Sequence, residues 1–241
     1  MRALIIGASA GLGRAIADRL ACPGNSLFLI ASDARDLDAT ARDLELRTGC
    51  TAHVLTLDIA TADPEAVKHH IRDKLGAIDV LLVIAGVVDQ DDFGEIDDAR
   101  LRRLVDVNFV GPIRLINALI GVMAPGGHLV AAGTVGAIRP RARNGIYGAS
   151  KLALEHYVLG RAQAHPETLG TVACYRLGYM RTAMTFGQRL LLPATVPQEA
   201  ARVIVEGIGR RQGLLYFPRW WRLIAVMLRL VPFRIYRRLE F

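Results

Sequence analysis

Short apolar runs that favour β-strands alternate with helical patterns along almost the whole chain. Strands that are apolar along their length and separated by helices indicate a parallel sheet covered on both faces. Right-handed crossovers then predict a doubly wound, Rossmann-like α/β fold of about seven strands with helices on both faces. The predicted strands are 3–7, 26–31, 52–57, 79–85, 128–133, 171–176 and 214–217. The predicted helices lie near 11–21, 34–48, 63–75, 97–123, 148–165 and 198–211.

The length and composition fit one globular domain followed by a basic tail. The chain has 241 residues, of which 52% are hydrophobic and 22% charged, which is enough to bury a large core. The formal net charge is +7, and residues 219–241 hold six arginines and one glutamate. Most of the positive charge therefore belongs to the tail, so we expect no nucleic-acid partner. We place the domain at 1–217 and the tail at 218–241.

The three cysteines, Cys22, Cys50 and Cys174, are far apart and lack the spacing of metal ligands. This usage is typical of reduced thiols, so we expect a cytoplasmic protein with no bound metal. The first apolar run, residues 3–6, reaches glycine-rich sequence too early to form the apolar core of a signal peptide.

A glycine-rich turn follows the first predicted strand, in the sequence IIGASAGLGRAIADRL (5–20). Gly7, Gly11 and Gly13 let the backbone turn sharply and approach a pyrophosphate, and the next helix offers unpaired N–H groups. We interpret this turn as a dinucleotide site. The same stretch matches G-x-S-x-G, the nucleophile elbow of α/β-hydrolases, with Ser9 as the nucleophile. In that fold several strands precede the elbow and the histidine comes late in the chain. Here the elbow follows the first strand and no histidine follows His165, so we set this alternative aside.

The end of the second strand bears on the choice of nucleotide. NAD sites place an acid there to bind the adenosine ribose, whereas Ala31 and Ser32 precede Asp33 in this chain. The absence of an acid at 31 favours NADP over NAD. Ser32 and Arg35 are candidates for the 2′-phosphate, although a solvated helix start accounts for them equally well. Asp58, which closes the third strand, either contacts the adenine or caps the next helix.

Tyr147 and Lys151 stand four residues apart in NGIYGASK (144–151), which places both on one face of a helix. A phenol titrates near ~10, so at neutral pH it needs help to exchange a proton. A nearby ammonium stabilises the phenolate and lowers the pKa of the tyrosine. The pair indicates a proton-transfer site, although this spacing also arises by chance in many helices.

Several motifs occur together with this pair. The chain has, in order, the glycine turn, DVLLVIAG (79–86), VNFVGP (107–112), Thr134 after the fifth strand, and YGASK. This order resembles the short-chain dehydrogenase/reductase family, in its single-domain branch, from about residue 2 to 217. The resemblance implies an NAD(P)-dependent oxidoreductase that transfers a hydride between nicotinamide and a carbonyl or secondary alcohol, such as a carbonyl reductase.

The resemblance also implies roles for individual residues. Tyr147 would give or accept the proton, and Lys151 would bind the nicotinamide ribose and lower the pKa of Tyr147. Thr134 would orient the substrate carbonyl, Asn108 would support a water relay to the lysine, and Thr182 would contact the nicotinamide amide. The residues implied to form the cofactor site are Gly7, Ser9, Gly11, Leu12, Gly13, Ser32, Asp58, Ile59, Ala85, Gly86, Tyr147, Lys151, Gly178 and Thr182.

The chain departs from the family pattern at five positions. Ile6 replaces a threonine, Val83 and Ile84 replace two asparagines, Leu177 replaces a proline, and Ser32 replaces a common arginine. These changes remove side-chain hydrogen bonds around the cofactor loop. They motivate an alternative function, a catalytically weak dinucleotide-binding sensor or scaffold that is tethered by its tail. The intact tyrosine, lysine and asparagine favour the enzyme.

Two segments point to further partners. Residues 179–197 are predicted to form an apolar substrate lid, which fits an amphiphilic small-molecule substrate or only the packing of the lid. In the tail, most arginines lie on one half of a helix that Pro232 should divide. The opposite half carries Trp221, Ile224, Leu228, Ile235 and Leu239.

The tail has no apolar run near the ~20 residues that span a bilayer, so we predict peripheral contact with a membrane surface. The alternative is a helix that packs on the domain or on a second subunit. We also expect a homodimer or homotetramer.

Overall fold

A computed structural model describes residues 1–89, 92–93, 95–187 and 190–238. Seven parallel strands form one sheet in the order β3-β2-β1-β4-β5-β6-β7, with helices on both faces, so the predicted fold is confirmed. The strands are β1 Arg2–Ile6, β2 Ser26–Ala31, β3 Thr51–Thr56, β4 Ile78–Val83, β5 Met123–Thr134, β6 Leu169–Leu177 and β7 Gly213–Phe217.

The helices connect these strands and cover the sheet. They are α1 Gly11–Leu20, α2 Ala34–Thr48, α3 Pro64–Leu75, α4 Asp98–Val105, α5 Gly111–Ile120, α6 Gly145–Ala164, α7 Pro197–Gly207, α8 Trp221–Leu230 and α9 Phe233–Tyr236. Neighbouring side chains of β1 enter different cores. Ala3 and Ile5 pack with α1, α2 and α7, whereas Leu4 and Ile6 pack with α3, α5 and α6. The strands are therefore apolar on both faces, as the sequence indicates.

The predicted helix over 97–123 is wrong in detail, because α4 and α5 are separated by a π-helical turn, Asp106–Val110. The N–H of Gly111 bonds to the carbonyl oxygen of Asp106, five residues back. Pro112 has no N–H to give to the carbonyl of Asn108, and its ring would clash with that carbonyl in a regular α-helix. The widened turn lies where Asn108 enters the protein interior, which is typical of π-turns at functional sites.

One ion pair lies inside the protein between helix and sheet. Arg176 on β6 donates from Nε and Nη2 to the two carboxylate oxygens of Glu155 on α6, both at 2.7 Å. Its Nη1 also donates to the Tyr216 hydroxyl on β7 at 3.0 Å. Both charged side chains are almost fully buried. The pair therefore joins α6, which also carries the predicted catalytic residues, to two strands of the sheet.

The tail folds back onto the domain. Pro232 separates α8 from α9 as predicted, and Arg139 Nη1 donates to the carbonyl oxygens of Leu228 and Val231, both at 2.5 Å. Trp221 and Ala225 are buried against the domain. Among the described residues, no helix combines the length and apolar character that a membrane span needs.

The predicted apolar face of the tail is thus only partly free. Trp221, Ile224 and Leu228 pack against a cluster that includes Val135 and Ile138, so these side chains face the domain, not a membrane. Ile235 is exposed, and Leu239 lies outside the described residues. A helical wheel shows which side chains share a face, but it does not show which face the domain covers.

Candidate active site

A cleft of about 410 Å³ opens at the carboxyl ends of the strands, beside β1. The order of strands reverses between β1 and β4, and such a switch point is where doubly wound sheets bind ligands. All of the predicted site residues line this cleft except Asn108 and the candidate Arg35. The volume is within the usual range for small-molecule sites.

The glycine turn is held in place by close backbone packing. Gly7 has φ of +96°, and a Cβ atom there would lie 2.6 Å from the backbone nitrogen of Ala85. A Cβ atom at Gly13 would lie 1.8 Å from the carbonyl oxygen of Gly7. Both positions therefore require glycine. The Ala85 N–H donates to the carbonyl oxygen of Ile6 at 2.8 Å, which joins the turn to the end of β4.

The first turn of α1 is open to an anion. Ala10 precedes the helix in an extended conformation and gives no side-chain cap, and the first turn contains no acid. The N–H groups of Gly11, Leu12 and Gly13 therefore have no partner within the helix. Together with Ser9, these residues line the cleft. A concave backbone with free N–H groups at the positive end of a helix fits a pyrophosphate.

The acid near the end of β2 has another role. Asp33 accepts a hydrogen bond from the Asp36 N–H at 3.0 Å and so caps α2. Ser32 lines the cleft, whereas the Arg35 side chain is almost fully exposed and pairs with Asp36 at 3.7 Å.

Asp58 does not cap the next helix, so that alternative is wrong. Asp63 caps α3 by accepting from the Glu65 N–H at 3.1 Å. Asp58 instead accepts from the Ala60 N–H at 3.0 Å and pairs with Arg103. Burial works to raise the pKa of Asp58, but the Ala60 N–H and Arg103 outweigh it and lower that pKa. A charged Asp58 therefore lines the cleft, next to Ile59.

Tyr147 and Thr134 meet at the opposite end of the site from Asp58. Thr134 Oγ1 accepts a hydrogen bond from the Gly136 N–H at 3.1 Å, and its hydroxyl lies beside the Tyr147 phenol. Burial raises the pKa of Tyr147, whereas the neighbouring Thr134 hydroxyl and the positive charge of Arg141 work to lower it. The resemblance implies that Lys151 lowers the pKa of Tyr147, and that role stays a prediction.

Lys151 lines the cleft with a side chain that is almost fully buried. Its Nζ atom donates to the carbonyl oxygen of Ala85 at 2.8 Å, and burial lowers the pKa of the ammonium to about 8. Asn108 lies nearby and is fully buried. Its Oδ1 atom accepts a hydrogen bond from the Val87 N–H at 2.9 Å, and its Nδ2 atom donates to the Val87 carbonyl oxygen at 2.8 Å. The two side chains converge on Gly86. The role of Asn108 in a water relay stays a prediction.

Comparison with known proteins agrees with this geometry. A sequence model described as short chain dehydrogenase matches residues 1–190. The chain belongs to the short-chain dehydrogenase family. It is therefore an NAD(P)-dependent oxidoreductase.

Relatives of this short-chain dehydrogenase support the same conclusion. An oxidoreductase of Myxococcus xanthus is 28% identical over 92% of this chain and 88% of its own. An oxidoreductase of Mycobacterium tuberculosis is 26% identical over 98% of this chain and 96% of its own, which includes most of the tail. A crystal structure of a short chain dehydrogenase from Burkholderia cenocepacia in complex with NADP superposes with a TM-score of 0.80. It is 25% identical and covers 89% of this chain and 95% of that one.

Sequence reasoning missed a buried acid that holds the start of α6 in this dehydrogenase. Asp92 Oδ2 accepts from the N–H groups of Ile146 and Tyr147, at 2.9 and 3.1 Å. Its carbonyl oxygen accepts from the N–H of Asn144, which has φ of +58°. Asp92 lies in an acid-rich stretch, and no local signal distinguishes it from its neighbours. Arg141, which lines the cleft beside Tyr147, was missed for the same reason.

The segment predicted to form the lid contacts both the glycine turn and the tail. Thr182 Cγ2 would lie 3.4 Å from a Cβ atom at Gly11, so the start of the lid lies over the turn. A Cβ atom at Gly178 would lie 2.1 Å from Trp221 Nε1, and the Tyr179 ring meets Trp221 edge to face. Residues 188 and 189 of the predicted lid lie outside the described residues.

Proposed function

We propose that this dehydrogenase interconverts a carbonyl and a secondary alcohol on a small molecule, with Tyr147 as general acid and base. The observation that supports it is that the Tyr147 phenol and the Thr134 hydroxyl lie side by side in a dinucleotide cleft that Lys151 also lines. Bound NADPH would supply the hydride to the carbonyl carbon. The carbonyl oxygen would accept hydrogen bonds from both hydroxyl groups, and the phenol would transfer its proton to that oxygen.

The other residues would support this step. Thr134 and the charge of Arg141 stabilise the phenolate that remains when Tyr147 loses its proton. Lys151 would bind the nicotinamide ribose, and the open N terminus of α1 would bind the pyrophosphate. The alternative of a non-catalytic sensor or scaffold is not favoured, because the Tyr147, Thr134 and Lys151 side chains occupy one connected site.

NADPH would be the preferred cofactor. Two observations support this preference: position 31 carries no acid, and Asp33 is engaged in capping α2. Ser32 lines the cleft at the same end and would bond to the 2′-phosphate. Titration of the purified protein with NADPH and, separately, with NADH tests the proposal. Tighter binding of NADPH is expected. Tighter binding of NADH contradicts the preference, and binding of neither contradicts the proposed function.

The tail would contact an anionic membrane surface through the outer side of α8. This side carries an exposed apolar stripe with helical spacing, made up of Leu223, Val226, Met227 and Leu230. All six arginines of the tail are exposed, and Glu240 is its one acid. Exposed arginines beside an apolar stripe fit a surface of negatively charged lipid headgroups. A homodimer or homotetramer remains an expectation, which light scattering tests.

A further inference from the structure

Arg141 lies at the reacting end of the cleft. It belongs to the connection between β5 and α6, and its side chain is partly buried. A Cβ atom at Gly136 would lie 2.8 Å from Arg141 Nη2 and 3.3 Å from Thr134 Oγ1. The guanidinium and the Thr134 hydroxyl therefore approach the same point, next to the Tyr147 phenol. A carbonyl oxygen held by the two hydroxyl groups would have Arg141 within reach of its neighbouring substituents.

Arg141 has no partner of its own in the part of the chain that the structure describes. Its Nε atom is buried without a hydrogen bond, and its side chain takes part in no ion pair there. The nearby arginines differ. Arg139 donates to two backbone carbonyls, and Arg143 is exposed with its guanidinium 6.0 Å from the Phe93 ring.

The cleft itself offers no counter-ion. Among the described residues that line it, Asp58 is the one acid, and it is paired with Arg103. A guanidinium is always charged, and a partly buried charge without a partner lowers stability. A ligand that brings a negative group to this end of the cleft would remove that cost. A carboxylate or phosphate suits the planar fork of arginine, because two oxygens can accept two parallel hydrogen bonds.

We propose that Arg141 binds a carboxylate or phosphate group that the substrate carries within a few bonds of its reacting carbonyl. This inference rests on the proposed function, because it takes Thr134 and Tyr147 as the site of the carbonyl oxygen. The inference identifies the substrate class as anionic oxo compounds. The apolar sequence of the predicted lid does not by itself indicate this class.

Matched probe pairs test the inference with the NADPH-bound enzyme. Acetoacetate and ethyl acetoacetate differ in the carboxylate, and dihydroxyacetone phosphate and dihydroxyacetone differ in the phosphate. The measured quantity is the ratio of kcat/KM for the anionic probe to that for its neutral partner. Any effect of Arg141 on the pKa of Tyr147 acts on both probes and cancels in this ratio. The two pairs show which oxyanion the site takes.

The variants are Arg141→Gln, Arg141→Lys and, as a matched control, Arg143→Gln. We expect Arg141→Gln to lower the ratio about 10- to 100-fold, the usual effect of losing hydrogen bonds to a charged group. Arg141→Lys should keep part of this ratio, because lysine supplies the positive charge but not the two parallel N–H donors of the guanidinium. Arg143→Gln should leave it unchanged. A ratio that is unchanged in Arg141→Gln, or no preference for either anionic probe in the wild type, overturns the inference.

A binding measurement separates this inference from the proposed function. Acetoacetate and inorganic phosphate are titrated by calorimetry into the NADP⁺-saturated protein, where the pyrophosphate site is filled. Binding that is lost in Arg141→Gln but kept in Arg143→Gln supports the inference even if no probe is reduced. Equal binding to both variants overturns it. If the protein does not bind NADP⁺, the proposed function fails, and the same titrations on the cofactor-free protein decide the role of Arg141.

Discussion

The Lys151 ammonium donates a 2.8 Å hydrogen bond to the carbonyl oxygen of Ala85, the residue before Gly86. A Cβ atom at Gly86 would lie 2.9 Å from Lys151 Nζ and 3.0 Å from Asn108 Oδ1. The segment after β4 and helix α6 therefore approach so closely that a side chain at 86 would displace the ammonium.

We expect Gly86→Ala to fold and to lose turnover, since the flexible lysine side chain can move away from the added methyl group. Misplacement of a catalytic group by about 1 Å typically costs about 100-fold in rate. Gly160→Ala on α6 is a suitable control, because a Cβ atom there meets nothing within 4 Å. Steady-state kinetics and thermal unfolding distinguish the two variants. Full activity in Gly86→Ala would show that the position of Lys151 does not matter.

Tyr147→Phe should keep its fold and its NADPH affinity but lose about 100- to 10,000-fold in turnover, the usual contribution of a general acid. Tyr157→Phe controls for the loss of a hydroxyl from the same helix, because the Tyr157 hydroxyl bonds to Asn117 on α5. Turnover is measured with a carbonyl substrate under saturating NADPH. Retained turnover in Tyr147→Phe would exclude the tyrosine as the proton donor.

The pKa of Lys151 predicts how NADPH affinity depends on pH. Because burial lowers this pKa to about 8, the lysine is an ammonium below pH 8 and loses its proton above it in the free protein. If the ammonium binds the cofactor, Kd for NADPH should change little near pH 7, be about doubled at pH 8 and approach a tenfold rise per pH unit above pH 9. Fluorescence titrations between pH 7 and 9.5 measure this. A Kd that stays constant to pH 9.5 would contradict a role for the ammonium in binding.

The buried pair of Glu155 and Arg176 predicts an effect on stability. Glu155→Gln leaves the Arg176 charge buried without its partner, so the free energy of unfolding should fall by about 3–5 kcal/mol. Glu206→Gln removes a carboxylate from two exposed pairs, with Arg19 and Arg202, and should change the free energy of unfolding by less than about 1 kcal/mol. Urea denaturation compares the two variants, and similar losses would mean that burial does not strengthen the pair.

The outer face of α8 predicts how the protein binds lipid. Leu223→Glu with Met227→Glu should abolish co-sedimentation with vesicles of phosphatidylglycerol and phosphatidylcholine, while the inward packing of Trp221 is kept. Leu46→Glu, at an exposed position on α2, is the control. Wild-type binding should weaken at high salt and with pure phosphatidylcholine. Equal sedimentation of both variants would exclude the membrane contact, and a change only in oligomeric state would identify the stripe as a subunit interface.

Local patterns were enough to predict most of the fold. Apolar runs located all seven strands, but β5 begins at Met123 instead of 128, because Pro125, Gly126 and Gly127 have the composition of a turn. Glycine spacing and the pair of Tyr147 and Lys151 located the cleft, since both signals lie within short stretches.

The parts that could not be predicted depend on long-range contacts. Asp92 caps a helix more than fifty residues away, and the proposal for Arg141 depends on the finding that its side chain pairs with no acid among the described residues. The partner of Asp58 is Arg103, which is far away in the chain. Propensity and periodicity carry no information about such pairs.

Trp221 of the tail packs against Gly178 and Tyr179, so the tail supports one wall of the cleft from behind. Gly178 and Tyr179 line the site on one side and carry the tryptophan on the other. If a ligand binds this wall more tightly when the tail is docked, occupancy of the cleft and docking of the tail are thermodynamically linked, and each favours the other by the same factor. A ligand that needs this wall in place will protect the chain after residue 217 from proteases. Cleavage of the chain there will in turn weaken binding of that ligand.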